Sequence, residues 1–398
     1  MGYGQFTMTT TRATRRSRSI DRRRQLIDAA TVLFAERGYA HVSVADIARR
    51  AGVSPPTVYR HFADKQALLY AAVQVRVDEL EASTDAAELE SSDDPTEALA
   101  AGVTAMCIAN PHATSLWRWS GQHLTADENA DVVRRTRTVL RRWASAIRSS
   151  RPELTERESM YLAGAVLSVV GSGAGRAVRG NVDDVEAMVL ELVRRTVELR
   201  PADAQPAHQT PNFGYDAPTR RDEILDAAAK MFADQGFAST GMDEIGAAVG
   251  ITGPSVYKHF PSKIAILVGI SQRSAMRLEV GVMAAYAGSS EPTARLGALV
   301  DHYVDSVTST PDLLVGFTSA YVLAGDPQAA ELLAVQRRYV ARWVQLLVEI
   351  DSRTEASAVL AVHAALAIVN DAVRLPRSTP RPEFAARMAY LMKGVMGV

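Results

Sequence analysis

The chain has 398 residues, of which 47% are apolar and 22% charged, and a net charge of −1. That composition suits a soluble protein of two to four domains. The single cysteine, Cys107, excludes an internal disulfide and a thiolate metal cluster. No apolar run approaches the roughly 20 residues that span a bilayer, and the basic N-terminus lacks the apolar stretch of a secretory signal. A cytoplasmic protein without a membrane partner is expected.

Residues 1–19 form a basic arm, in which Arg12, Arg15, Arg16 and Arg18 lead into Arg22, Arg23 and Arg24. Behind it, residues 20–66 read as three short helices. Leu26, Ile27, Ala30, Leu33 and Phe34 follow a helical period that ends at Gly38. Ser43 can cap a helix over 44–51 that stops at Gly52. Ser54 caps a third, which opens with Pro55 and Pro56, positions where the missing amide has no intrahelical acceptor. Residues 67–200 carry only helical patterns, near 66–83, 95–109, 113–123, 127–149, 155–178 and 183–199. Residues 201–218 hold four prolines and read as a semi-rigid linker.

Then the first pattern returns. VYRHFADKQALL at 58–69 is answered by VYKHFPSKIAIL at 256–267, and the register holds without a gap from Arg22/Arg220 to Leu69/Leu267, 198 residues apart. A repeat of that length means duplicated domains. A second three-helix unit is expected over 219–264, followed by helical segments over 265–398 near 262–287, 292–309, 311–324, 326–350, 354–375 and 381–396. The pair Arg142-Trp143 recurs as Arg342-Trp343. Alternating strand patterns are absent, so the fold class is all-α.

Helix, short Gly-containing turn, helix is the outline of a helix-turn-helix, whose second helix meets base edges in the major groove of DNA. Thr57 and Arg60, with Ser255 and Lys258, occupy those positions. Tyr59, His61 and Lys65, with Tyr257, His259 and Lys263, are placed to donate to phosphates. The capping hydroxyls of Ser43, Ser54 and Thr252 are further candidates, while Phe62 and Phe260 close the core beneath. Charge separates the copies. Residues 12–76 carry 13 Arg/Lys against 5 Asp/Glu, whereas residues 219–277 carry 7 against 6. The excess lies largely in the arm, and such arms enter the minor groove in other helix-turn-helix proteins, so Arg15, Arg16 and Arg18 are expected DNA contacts.

From Arg22 to Leu69 the chain resembles the DNA-binding headpiece of the TetR family of bacterial transcriptional regulators. The residues that carry the likeness are Ala29-Ala30, Phe34, Gly38-Tyr39, Val44-Ala45-Asp46-Ile47-Ala48, Ala51-Gly52-Val53-Ser54 and Tyr59-Arg60-His61-Phe62, with Lys65 and Leu68-Leu69. Ile224 to Leu267 matches again, departing at Gly241, where Ser43 stands in the first copy, and at Gly253, where Pro55 stands. The resemblance implies operator binding, a small-molecule effector pocket in the bundle, and pairing through the last two bundle helices. A few actinobacterial members are similar tandem proteins. A chain with two headpieces implies an intramolecular pair, a monomeric pseudo-dimer, with a dimer of such chains as the alternative.

The effector's site is less legible. Trp119 and His123, four apart on one helical face, correspond to Phe317 and Tyr321. Aromatic rings with polar tips suit a largely apolar ligand. Asn110, Tyr303, His363 and Asn370 are weaker candidates. The segment 166–180 is similar to a dinucleotide-binding loop, but Arg176 stands at its third glycine and no strand flanks it. Close helix approach explains Gly164, Gly171, Gly173 and Gly175 better. No cofactor, metal or catalytic site is expected, and a regulator rather than an enzyme or an architectural DNA-binding protein is the reading favoured.

Overall fold

The computed structural model describes residues 6–89, 92, 94–112, 114, 116, 120–177, 182–205, 219–318, 320–323, 327–374 and 381–398. The side chains of 6–20, 120, 122, 174–177, 183, 317, 318, 320, 321, 327–329 and 381 lie outside that description. Among the described residues there are helices and no strands. Two compact units emerge: residues 1–79 with 112–132, and residues 80–111 with 133–398.

The first unit contains α1 (Phe6–Arg37), a 3₁₀ turn (Tyr39–His41), α2 (Val44–Arg50), α3 (Pro55–Tyr59), the start of α4 (Lys65–Leu89) and a 3₁₀ turn (Ser120–His123). Leu26, Ala30, Phe34, Ile47, Val58 and Leu69 are its buried centre, and Leu116 and Val132 join them. The unit therefore takes in 112–132 and departs from the expected boundary at 66/67. Another difference concerns the arm. From Phe6 onward its backbone continues α1, since neither proline nor glycine interrupts 6–37.

The second unit holds α5 (Pro95–Ala109), α6 (Ala126–Ser150, from Val133), α7 (Glu156–Ala177) and α8 (Val182–Val197) of the first half. The second half contributes its own headpiece, α9 (Arg220–Gln235), α10 (Met242–Ala248) and α11 (Gly253–Val256). Beyond it come α12 (Lys263–Gly288), α13 (Pro292–Ser309), α14 (Asp312–Thr318), a 3₁₀ turn (Ala320–Leu323), α15 (Pro327–Asp351), α16 (Glu355–Ala372) and α17 (Arg381–Met396). Side chains start the helices where free amides need acceptors. Asp94 accepts from Thr96 and Glu97 at 2.9 and 3.0 Å. Thr219 and Asp222 form a capping box, and Thr354 accepts from Ser357.

One hydrophobic core runs through the bundle helices of both halves. At its middle α7 packs on α16, each flanked by its successor, α8 and α17, which also touch each other. α16 buries Ala358, Ala361, Ala364 and Ala365, and these small side chains admit close backbone approach. It is the one described helix long and apolar enough to cross a bilayer. Burial against α7, α15 and α17 accounts for an apolar surface on nearly every side. The start of the linker is docked here too. Pro201 is buried, its turn packs on α7 and α17, and the Arg200 amide donates to Tyr390 Oη at 3.2 Å. Residues 206–218 lie outside the described residues.

Of the glycines expected to allow close approach, Gly173 does so: a Cβ there would lie 2.6 Å from Val189 Cγ2, whereas Gly164 faces open space. Gly175 lies outside the described side chains. Gly173→Leu should overpack the α7–α8 contact by about 1–3 kcal/mol, more than the up to ~1 kcal/mol of gained helix propensity returns. Urea denaturation should register the destabilisation, and Val189→Ala in the same chain should recover most of it.

Candidate nucleic-acid interface and effector bundle

In each headpiece two short helices meet at a glycine-bearing turn. Gly52 and Gly250 sit at φ +64° and +71°, in the left-handed region that side chains with a Cβ rarely adopt. The Val53 and Ile251 amides then return to the carbonyls of Ala48 and Gly246, both at 2.9 Å. Ser43 caps α2, accepting from the Asp46 amide at 3.1 Å while Asp46 accepts from the Ser43 amide at 3.0 Å. Hydrogen bonds from Ser43 hold the Asp46 carboxyl below its ordinary range. In the second copy only one half of this box survives, as the Gly241 amide donates to Glu244 at 2.8 Å.

On the second helix the copies agree closely. Val58 and Val256 point into the core with Phe62 and Phe260. Tyr59 and Tyr257 stand 57% and 54% exposed, beside exposed Arg60 and Lys258. Thr57, Ser255, His61 and His259 are half-buried. Ser54 and Thr57 share a hydroxyl hydrogen bond at 2.9 Å, and Thr252 and Ser255 repeat it at 2.9 Å. Each hydroxyl keeps capacity for a further partner. Arg49 and Arg50 end α2 on its exposed side, where the second copy has Ala247 and Ala248. They belong to the first headpiece's excess charge, and only the fold places them.

Two expected phosphate donors are corrected. Lys65 turns inward, donating to the Tyr39 carbonyl at 2.9 Å with its ammonium 4.2 Å from the Tyr39 ring centroid. Lys263 donates to the carbonyls of Phe237, Ala238 and Thr240 at 2.7, 3.3 and 2.7 Å and lies over the Phe237 ring. Burial lowers both ammonium pKa values. Both lysines tie the loop after the first helix, because carbonyls left free there by the chain's turn need donors. Arg15, Arg16 and Arg18 lie outside the described side chains.

His123, expected in an effector pocket, stacks on Tyr39 with ring centroids 4.6 Å apart. Burial and the nearby Lys65 charge lower its pKa to about 4, and burial pushes Tyr39 up to about 12. Trp119 lies outside the described residues, and Phe317 and Tyr321 outside the described side chains. Asn110 caps the end of α5 and is exposed, and His363 is half-buried on α16. Tyr303 and Asn370 do come together, with Tyr303 Oη donating to Asn370 Oδ1 at 3.0 Å. The structure adds two residues to them. Tyr339 stacks on Tyr303 at 6.3 Å, and Trp343 meets Tyr303 edge-on at 5.9 Å.

The two bundles treat this level differently. In the first, Trp143 Nε1 donates to Thr84 Oγ1 at 3.2 Å. In the second, Val282 stands at Thr84's place in the repeat, and Trp343 Nε1 meets no acceptor with hydrogen-bond geometry. Tyr339, four residues before Trp343 where Val139 stands before Trp143, brings its hydroxyl beside the Trp343 indole N–H, but the two do not meet with full hydrogen-bond geometry. Both side chains are buried, and burial raises the Tyr303 and Tyr339 hydroxyl pKa values.

The model of the N-terminal domain of bacterial regulatory proteins of the tetR family matches residues 26–72 and again 224–270. A transcriptional activator, FasR of Mycolicibacterium smegmatis, is 30% identical over 165 residues, covering 41% of this chain and 74% of FasR. The chain belongs to the TetR family. The regulator BetI of Brucella anthropi is 32% identical over 160 residues, covering 40% of this chain and 78% of BetI. Among solved structures, a TetR-family regulator from Bordetella parapertussis is 24% identical, with a TM-score of 0.39, over 43% of this chain and 93% of its own. AibR, solved with isovaleryl coenzyme A and operator DNA, is 21% identical, with a TM-score of 0.38, over 42% of this chain and 94% of its own. As a TetR-family protein, this chain is a helix-turn-helix DNA-binding transcriptional regulator, with two such headpieces in tandem.

Two outcomes follow from the inward residues. Lys263→Met should destabilise the protein by about 1–3 kcal/mol by stranding buried carbonyls, read by thermal denaturation, and leave the salt dependence of DNA binding unchanged. The His123 ring, with a folded pKa of about 4 against an ordinary 6.5, contributes stability that is fully present above pH 6.5 and lost as pH falls towards 4. Urea denaturation at pH 7 and pH 5 should differ by on the order of 1–2 kcal/mol through this ring, and His123→Gln should remove most of that difference.

Proposed function

We propose that this chain is a repressor that reads its operator as an intramolecular pseudo-dimer and is released by one largely apolar effector held in the second bundle. The duplicated headpiece carries the reading, because a chain with units at 20–66 and 219–264 supplies both halves of the pair that this family ordinarily assembles from identical chains. The helical segments 67–200 and 265–398 serve as pairing domains, and the second also holds the effector. Packing of α7 and α8 on α16 and α17 supports pairing within the chain.

The two reading helices then meet half-sites one helical turn, ~34 Å, apart. Thr57 and Arg60 read one half-site, and Ser255 and Lys258 the other, so the operator is asymmetric. Tyr59, Tyr257, His61 and His259 position the backbone by phosphate contacts, which carry no sequence information. Ser43, Ser54 and Thr252 contribute where their hydroxyls have spare capacity. The first headpiece, with its basic extension and Arg49-Arg50, carries most of the salt dependence.

The effector reading rests on Tyr339 and Trp343. Each has only the other, poorly aligned, as partner. A fully unpaired buried polar group costs about 1–3 kcal/mol, and a ligand oxygen within reach of both would relieve the part of that cost still outstanding. An effector releases DNA only by favouring the arrangement that does not bind it.

Footprinting on DNA upstream of the chain's own gene tests the first reading: two dissimilar half-sites are expected, and a perfectly palindromic preferred site overturns it. Deletion of residues 1–19 should lower the slope of log affinity against log salt by up to ~0.9 for each phosphate that the arm neutralises. For the effector, Tyr339→Phe should leave operator binding intact and hold or raise the melting temperature of the ligand-free protein. It should weaken the ligand response by about 3- to 10-fold, the worth of one hydrogen bond. An unchanged response places the ligand elsewhere.

A further inference from the structure

On the outside of the second bundle, α15 and α16 enclose an open groove of about 770 Å³. Val340, Val344 and Val348 form its floor along α15, at every fourth residue, where side chains share one face, and Val359 of α16 joins them. The helices are joined by the short link between Asp351 and Glu355, so they run antiparallel and their charges segregate. Glu349 and Glu355 line the end near the link, while Arg337 and His363 line the other. Arg337 and Glu349 lie at equal spacing on either side of Trp343, roughly 18 Å apart along the helix at about 1.5 Å per residue. Likewise Glu355 and His363 flank Val359 symmetrically.

That arrangement complements itself under a twofold axis and under little else. In an antiparallel pairing about such an axis, each Arg337 faces the acidic end of the other copy, while the valine strips meet. A closed two-copy contact requires this kind of self-complementary patch, and opposed charges fix its register. The ridge of α15 is low at Ala341, an exposed residue of the groove, which leaves room for the helix of a second copy. The first half lacks these features. At the corresponding positions on α6 it has Arg137, Arg141 and Arg148, with Ser149 in place of Glu349, so α6 lacks the acidic end that a twofold pairing needs.

We infer that the α15–α16 groove is the surface through which a second copy of this chain docks, placing two chains, and four headpieces, on a longer DNA site. α16 takes part in both contacts, with Glu355, Val359 and His363 lining the groove and Ala358, Ala361 and Ala365 buried in the core. A groove lined by two helices only offers a small contact, and association is expected in the micromolar range typical of weak pairs.

The test is sedimentation or light scattering of the full chain from about 1 to 200 µM. The mass should double across that range for the unaltered chain, and the transition should move to higher concentration in high salt. Arg337→Glu alone and Glu349→Arg alone should each weaken association at least ~10-fold through like charges, with circular dichroism unchanged. Mixing those two variants should restore the doubled mass, because every facing pair is then of opposite sign, and the double variant R337E/E349R should associate on its own. A constant single-chain mass up to about 200 µM overturns the proposal, as does a doubling that neither single reversal affects. Failure of the mixed or double variants to recover association overturns the twofold register and the proposal with it.

Discussion

Burial of α16 against α7 is the contact on which the larger unit depends. α16 belongs to the second half of the chain and α7 to the first, and each is followed by a helix that closes over the same core. The alanines of α16 allow this approach, and Gly173 does the same service between α7 and α8. Because apolar burial of this extent dominates stability, neither bundle has an independent outer face along the seam. The two bundles are folded as one body by one chain.

Covalent connection changes what selection can do with such a seam. When two identical chains pair, every residue is used twice, and a polar group useful on one side appears on the other. Here each side is encoded separately. Thr84 satisfies Trp143 in the first bundle, while Val282 leaves Trp343 with only the poorly aligned hydroxyl of buried Tyr339 in the second. Ser43 completes a capping box that Gly241 halves, and Arg49-Arg50 face solvent where Ala247-Ala248 stand in the other headpiece. Such differences are small individually. They fall at the reading helices' support, at the surface charge and at the polar core, which are the places where the two halves would do different work.

Inside each headpiece, an inward lysine holds the loop that the turn geometry strands. Lys65 and Lys263 keep the same kinds of aromatic and carbonyl partner, through Tyr39 in one copy and Phe237 in the other. In the first unit Tyr39 also carries His123 on its face, so a residue of the segment 112–132 is stacked directly on the headpiece.

The sequence by itself determined the duplication, the all-α class, the helix-turn-helix and most helix limits, since these follow from periodicity, caps and glycine turns that act within a few residues. It also placed Phe62 and Phe260 in the core beneath the second helix, where both are buried. Tertiary structure decided what proximity in space controls. A lysine at a surface-like position reads as a phosphate donor until the carbonyls 23 to 26 residues earlier are seen around it. His123 looked like a pocket residue by helical spacing with Trp119, and only the fold brought Tyr39 to its face. Tyr303 and Asn370 were visible as isolated polar residues, but their meeting across 67 residues, with Tyr339 and Trp343 beside them, depends on how helices distant in sequence pack. Local chemistry writes the elements, whereas the partners of buried polar groups are chosen by packing between elements that the sequence does not place side by side.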